Sequence, residues 1–226
     1  ALWLRSIAVG NLAGAEPQTL QVDITRSKAV DDNAFNVELA TIVENSFNIH
    51  QDGNRLVFRE EENPRAKLMA CARNDKLFAD GSDQAQLAKQ IRYVIGGTDE
   101  VAKTFRVIAL PKSWQTDPWS TLDESEQPER WDDRLPILVL PEEPDNIDAR
   151  LGRWLKDHLQ KRRNTIRFLL PRAGSTNAFQ DRDLLILARA EMKAQEWSSQ
   201  GPEYKKLHTE YQGALRDILK KRFDRF

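Results

Sequence analysis

The chain has 226 residues, 31% of them charged, and a formal net charge of −1. That length can bury a substantial core in one large or two modest domains, and no apolar run approaches the ~18 residues that would span a bilayer. The only cysteine, Cys71, excludes an internal disulfide, and His50, His158 and His208 lie too far apart for the spacing of a zinc site.

The opening Ala1-Leu-Trp-Leu lacks a charged leader and a small-residue cleavage site. The chain begins and stops inside helical patterns, so it reads as a segment of a longer cytoplasmic protein. Leu2–Val9 alternates like a short buried helix, and Gly14 and Pro17 break it. Leu20-Gln-Val-Asp-Ile24 has the period-two pattern of a short strand, or else starts a helix. Asp31-Asp32-Asn33 offers capping oxygens for a helix to about Asn45, with Phe35, Leu39, Ile42 and Val43 on one face. Phe47 to Phe58 is a hairpin turning at Asp52-Gly53, because glycine takes positive φ without penalty. Helices followed by a ribbon give the order of a winged helix-turn-helix. A winged helix that reads DNA inserts its third helix, but here that helix carries Asp31, Asp32, Glu38 and Glu44 and no cation. A packing or protein-contact role is therefore expected of it.

Pro64 suits the first turn of a helix running to about Asn74. Another helix, capped by Ser82 or Asp83, carries Leu87, Ile91, Val94 and Ile95 and ends at Gly96-Gly97. That glycine pair is the expected boundary between a winged-helix-like unit, 1–97, and an α/β unit, 98–226.

The second unit is organised around three apolar segments: Phe105–Leu110, Leu135–Leu140 and Ile166–Leu170. Each closes on a proline, at 111, 141 and 171, and the thirty-residue interval is that of a βαβ unit. The fold class expected is mixed α/β, with a small, mostly parallel three-stranded sheet covered by helices. Lys112–Arg134 is long for a structureless loop. Trp114, Trp119 and Trp131 should pin it, with a short helix near Leu122–Trp131. A helix over 148–163, capped by Asp145 or Asp148, joins the last two strands and buries Leu151, Trp154, Leu155 and Leu159. Two helices, 181–198 and 202–226, complete the cover. The last carries Tyr204, Leu207, Tyr211, Leu215, Ile218 and Phe223 near heptad spacing, for packing on this protein or against other subunits.

Charge is unevenly distributed. Residues 99–148 hold 13 acids against 5 bases, whereas 149–172 holds 8 bases against Asp157 alone. The simplest reading is pairing between the acidic loop and the basic helix; the alternative is a surface facing a polyanion. Candidate phosphate or nucleic-acid contacts are Arg153, Lys156, Lys161, Arg162, Arg163 and Asn164. Asn164 is also placed to end the helix in a left-handed conformation, and an arginine here could reach a phosphate held by another domain.

No catalytic constellation is present. No glycine precedes lysine in a P-loop pattern, and neither GxGxxG nor GxSxG occurs. Glu142-Glu143 follows a strand, as Mg²⁺-holding acids do, but no phosphate-cradling loop accompanies it. No catalytic residue, metal site or cofactor is assigned to this segment.

Arg163-Asn164-Thr165-Ile166-Arg167-Phe168-Leu169-Leu170-Pro171, followed by the Ala- and Trp-containing stretch Leu184–Trp197, resembles part of large bacterial ATP-binding proteins that carry a C-terminal domain of unknown function. These often lie beside restriction or phage-defence genes. The likeness covers roughly 150–200, and the strand here ends in Pro-Arg where a more acidic end is expected. The resemblance implies an AAA-like parent ATPase whose ATP and Mg²⁺ sit in a domain upstream. It makes this chain a non-catalytic regulatory or interaction segment in bacterial defence or DNA metabolism. The alternative is a nucleic-acid-binding module using the winged helix and the basic helix 149–163; a free-standing hydrolase ranks third.

Overall fold

The computed structural model describes residues 1–8, 12–25 and 30–225. Its N-terminal part is α1 (Leu2–Ser6), α2 (Pro17–Ile24), α3 (Asp32–Asn45) and a hairpin of β1 (Ile49–Asp52) and β2 (Arg55–Phe58). Leu20–Ile24 is helical, not a strand, because Pro17 at the first turn preorganises the helix and Leu20 alone turns inward. Helix α1 ends earlier than expected and buries none of its residues; Val9 lies outside the described residues. Asp31 caps α3 by accepting from the Asn33 amide at 2.9 Å. Gly53 has φ +58° and turns the hairpin. Gly14 has φ +76°, and a Cβ there would collide with the Leu56 carbonyl, where the chain bridges Ala15 to Leu56. The core of this part is small: Ala15, Leu20 and Leu56, flanked by Leu2, Phe35, Leu39, Val43 and Ile49.

The main body begins at α4 (Pro64–Ala72), capped by the Asn63 side chain, and continues with α5 (Ser82–Gly96). The α5 N-cap is Gly81, in a left-handed conformation, rather than Ser82 or Asp83. A helix not anticipated from the sequence, α6 (Asp99–Thr104), follows, capped by Thr98. The sheet then takes β3 (Phe105–Ala109), β4 (Leu135–Val139) and β5 (Arg167–Pro171) as parallel neighbours in that order. Between β4 and β5 runs α7 (Ile147–His158). After β5 come α8 (Arg182–Glu196) and α9 (Pro202–Arg222). The chain then returns as β6 (Phe223–Arg225), antiparallel on the open edge of β5. This fourth strand replaces the expected continuation of the last helix over 223–225; Phe226 lies outside the described residues.

Side-chain alternation assigns the two faces of the sheet. Ala109, Ile137, Val139 and Leu169 pack with Leu87 and Ile91 of α5, Leu184 and Ala188 of α8, and Leu215 and Leu219 of α9. Ile108, Leu110, Leu138, Leu140 and Ile166 face the other way, onto Trp114, Trp131, Leu151 and Trp154. Each fully buried Leu or Ile in such layers contributes about 1.5–3 kcal/mol. A third cluster joins Leu68, Met69 and Ala72 of α4 to Ala190 and Ala194 of α8 and Tyr204, Leu207 and Tyr211 of α9.

The core therefore does not divide at Gly96-Gly97. Helices α4 and α5 belong with the sheet because their apolar stripes are needed to cover it, and the smaller N-terminal core ends at the hairpin. The apolar side of α9 is buried within this chain, although Ile218 points outward at 42% exposure.

The tryptophan-rich loop is held as expected. Trp114 is fully buried, and Trp154 donates to its carbonyl at 2.6 Å. Trp119 meets both Trp131 and Trp154 edge to face, at 5.9 and 5.6 Å between ring centres. Two 3₁₀ turns, Glu124–Glu126 and Pro128–Arg130, stand where a short helix was expected.

Candidate functional site

The sheet ends in two different kinds of concavity. At the carboxyl ends of β4 and β5 the connections leave in opposite directions, since α7 lies on one face and α8 on the other. Such a divergence opens a crevice where ligands of parallel α/β sheets commonly bind. Here it has a volume of about 720 Å³, between residues 143–148 and 174–176. Asn146, at φ +50°, starts α7 without a side-chain cap, so Asp145 and Asp148 are not its caps.

Glu142 holds the loops around this crevice together. Its carboxylate accepts from Trp114 Nε1 at 3.0 Å, Gln115 Nε2 at 3.2 Å and Asn177 Nδ2 at 3.1 Å. One side chain thus ties the loops that follow β3, β4 and β5. The sequence marked Glu142 only as a weak metal candidate; a buried tryptophan N–H needing an acceptor was the signal for its actual role. Among the described residues no group of His, Cys, Asp and Glu is placed to hold a metal ion.

The other concavity lies at the amino end of the sheet, where the tail of α7 meets the acidic loop. Its volume is about 530 Å³, and Pro128, Trp131, Leu159, Lys156, Lys161 and Arg162 are among its lining residues. The expected helix to Arg163 stops at His158 because Leu159 leaves it extended, at φ −135°, to enter the tryptophan layer. The left-handed residue is Arg162, at φ +65°, not Asn164. A non-glycine residue in that region is uncommon. It is held by its own guanidinium, which donates to the Asp132 carbonyl and, at 3.2 Å, to that of Trp131.

The structure separates the six residues singled out in the sequence. Lys156, Lys161 and Arg162 share the pocket. Arg163 folds back on α7, its guanidinium donating to the carbonyls of Leu159 at 2.6 Å and Lys156 at 3.3 Å. It thereby satisfies the helix end. Asn164 sits exposed in the turn before β5, and Arg153 projects from the outer face of α7. Arg153, Lys156 and Lys161 are exposed and form no side-chain ion pair or hydrogen bond among the described residues.

The acidic loop largely finds its cations elsewhere. Glu126 meets Arg92 at 2.6 Å, and Asp132 meets Arg134 at 2.7 Å and Arg106 at 2.8 Å. The expected pairing of this loop with the basic helix is thus replaced, for these acids, by arginines of α5 and of the strands and loop themselves.

Asp132 fixes the loop whose carbonyls hold Arg162. Hydrogen bonds from Arg134 and then Arg106 keep its carboxyl well below the ordinary aspartate range. A lowered folded value means that its stabilising contribution is present above the unfolded value, about pH 4, and is lost as pH falls further. Asp132→Asn is therefore expected to flatten the acid limb of a melting-temperature profile below about pH 4. Stability near neutrality should fall by the same amount that the acid limb loses, less than about 1 kcal/mol because the pair is exposed, and the two proteins should converge at low pH. Parallel limbs in the two proteins would refute this.

No helix among the described residues is long and apolar enough to cross a membrane. No protein-family model, curated protein or solved structure matches this chain.

Proposed function

We propose that this chain is a non-catalytic interaction segment of a larger P-loop ATPase, seated on the ATP-binding part of that polypeptide through residues 1–58. The observation that carries this is the distribution of exposed apolar surface. Of fifteen large hydrophobic residues exposed among the described residues, eleven fall between Trp3 and Phe58. They include Trp3 at 59%, Leu4 at 66%, Leu12 at 74%, Val22 at 68% and Val37 at 66%. Helix α3, fourteen residues long, buries none of its side chains. Scattered exposed hydrophobics need no explanation, but a concentration on one small unit marks a surface made to be covered. The main body, by contrast, buries its helices and sheet in large shared clusters. The partner, and the setting in defence or DNA metabolism with ATP and Mg²⁺ held by the other domain, are carried over from the likeness of residues 150–200 to large bacterial ATP-binding proteins.

Hydrogen exchange tests this on the chain alone and on the longer polypeptide that includes the ATPase domain. Amides of α1, α3 and the hairpin should become at least tenfold more protected in the longer protein. Unchanged exchange over residues 1–58, or ATP turnover by this chain alone, would defeat the proposal.

A second reading rests on a different observation, the exposed cations Arg150, Arg153, Lys156 and Lys161 along and just beyond α7. It makes the chain a nucleic-acid-binding module, with α7 rather than the acidic α3 facing phosphates. Duplex binding that weakens steeply with salt and is lost on reversal of Arg153 and Lys161 would favour it.

A further inference from the structure

We propose that the pocket between the end of α7 and the acidic loop binds a phosphate monoester or diphosphate carrying a flat polar ring, with Lys156, Lys161 and Arg162 on the phosphate and Trp131, Pro128 and Leu159 against the ring. The volume, about 530 Å³, is in the ordinary range for a small-ligand site. Its lining is mixed: Pro128 and the edges of the largely buried Trp131 and Leu159 stand beside three cations.

These cations are available. Lys156 and Lys161 have no side-chain partner among the described residues, even though Asp157 and Glu129 line the same pocket. Arg162 uses one N–H of each terminal nitrogen on the Asp132 and Trp131 carbonyls. Among the described residues its Nε and the remaining terminal hydrogens have no acceptor, on a guanidinium held in place by those two bonds. A preorganised guanidinium beside two mobile ammonium groups suits a phosphate, since charge-assisted bonds of this kind are the strong ones.

The end of a helix ordinarily repels anions. Here that effect is reduced. The Lys156 and Leu159 carbonyls accept from Arg163, and the His158 carbonyl accepts from Trp119 Nε1 at 3.3 Å. Glu129 and Asp157 are acceptors for amine or hydroxyl hydrogens on the remainder of the ligand. A bare anion satisfies only half of this lining, whereas a nucleoside phosphate satisfies both halves. The inference is independent of the docking surface on residues 1–58, which lies on other elements.

Calorimetric titration of the full chain with ADP, adenosine and inorganic phosphate tests it. The variant compared is the double variant Lys156→Gln, Lys161→Gln, whose two positions are exposed and unpaired among the described residues, so its melting temperature should match the parent. ADP should saturate one site, adenosine should bind much more weakly, and the double variant should lose about tenfold or more in ADP affinity. A short oligonucleotide with and without a 5′-phosphate distinguishes a free nucleotide from a strand end. Preference for the phosphorylated strand over ADP upholds the pocket and assigns its phosphate to nucleic acid. Equal ADP affinity in parent and variant, or no preference for phosphate in either comparison, overturns the proposal.

Discussion

Arg189→Met should lower the unfolding free energy by about 3–5 kcal/mol. Arg189 is 6% exposed and lies where α4, α5 and α8 meet. Its guanidinium donates through Nε to Asp83 at 2.8 Å, and through Nη1 to Asp75 at 2.6 Å and the Ala72 carbonyl at 3.2 Å. It also lies 4.8 Å from the centre of the Phe78 ring. Asp83 is only 3% exposed. Methionine retains much of the packing volume but leaves that carboxylate buried without its cation, and an uncompensated buried charge accounts for most of the loss. The partner Asp75 is largely exposed and can be hydrated, so Asp75→Ala should cost far less. The double variant Arg189→Met, Asp83→Leu should regain at least about 1 kcal/mol over Arg189→Met alone, because the pair is then removed together. Urea unfolding near pH 7 measures all of these. A loss below about 1 kcal/mol for Arg189→Met would mean that water reaches Asp83. No recovery in the double variant would place the cost in packing.

This ion pair also bears on the proposed function. Arg189 grips the last turn of α4 and the 3₁₀ turn Asp75–Phe78, and α4 carries the N-terminal unit through Arg73 of its C-cap, which meets Glu44 of α3 at 3.0 Å. Weakening the grip would loosen the attachment of the surface proposed to dock before it disturbed the sheet.

The strands were legible because short apolar runs such as Val107-Ile-Ala, Ile137-Leu-Val and Phe168-Leu-Leu suit a parallel sheet covered on both faces, whether at its edge, as β3 is, or at its centre, as β4 and β5 are. Most helices were legible from apolar spacing, from caps such as Asp31 and from first-turn prolines such as Pro64. The missing parts depend on tertiary neighbours. Residues 223–225 form β6 because β5 offers an open edge, and no local pattern in Phe-Asp-Arg announces that. The end of α7 is set by Leu159 entering the core, although the cations after it continue a plausible helical face. The cationic cluster of the candidate pocket could be read from sequence. Which arginines already serve backbone carbonyls could not, since Arg163 and Arg162 are adjacent and chemically alike. The largest omission is polar. Gln86 and Gln90 on α5, and His208 and Gln212 on α9, stand four apart, and each pair faces one buried acid.

That acid, Glu191, is the site of the second large effect. It is 1% exposed on α8. Gln86 donates to one carboxylate oxygen, and Gln90 at 3.2 Å, His208 at 3.1 Å and Gln212 at 3.3 Å donate to the other. Gln90 is in turn held by Arg216 Nε at 2.9 Å, and Arg216 stacks over Tyr93 at 3.7 Å. Glu191→Ala empties this space and orphans donors on two helices, each costing about 1–3 kcal/mol where water cannot reach it. The expected loss is at least about 3 kcal/mol, with some rehydration at the partly exposed His208 and Gln212. Glu191→Gln preserves the shape and one acceptor oxygen, and the Gln86 amide can flip to accept from the new N–H. Its cost should stay below about 1.5 kcal/mol. The ratio of the two losses identifies what the carboxylate does. A large gap between alanine and glutamine means that hydrogen-bond satisfaction holds α5, α8 and α9 in register. Equal losses would transfer the role to charge, leaving His208 as the partner that matters, and His208→Ala would then have to be as damaging as Glu191→Ala.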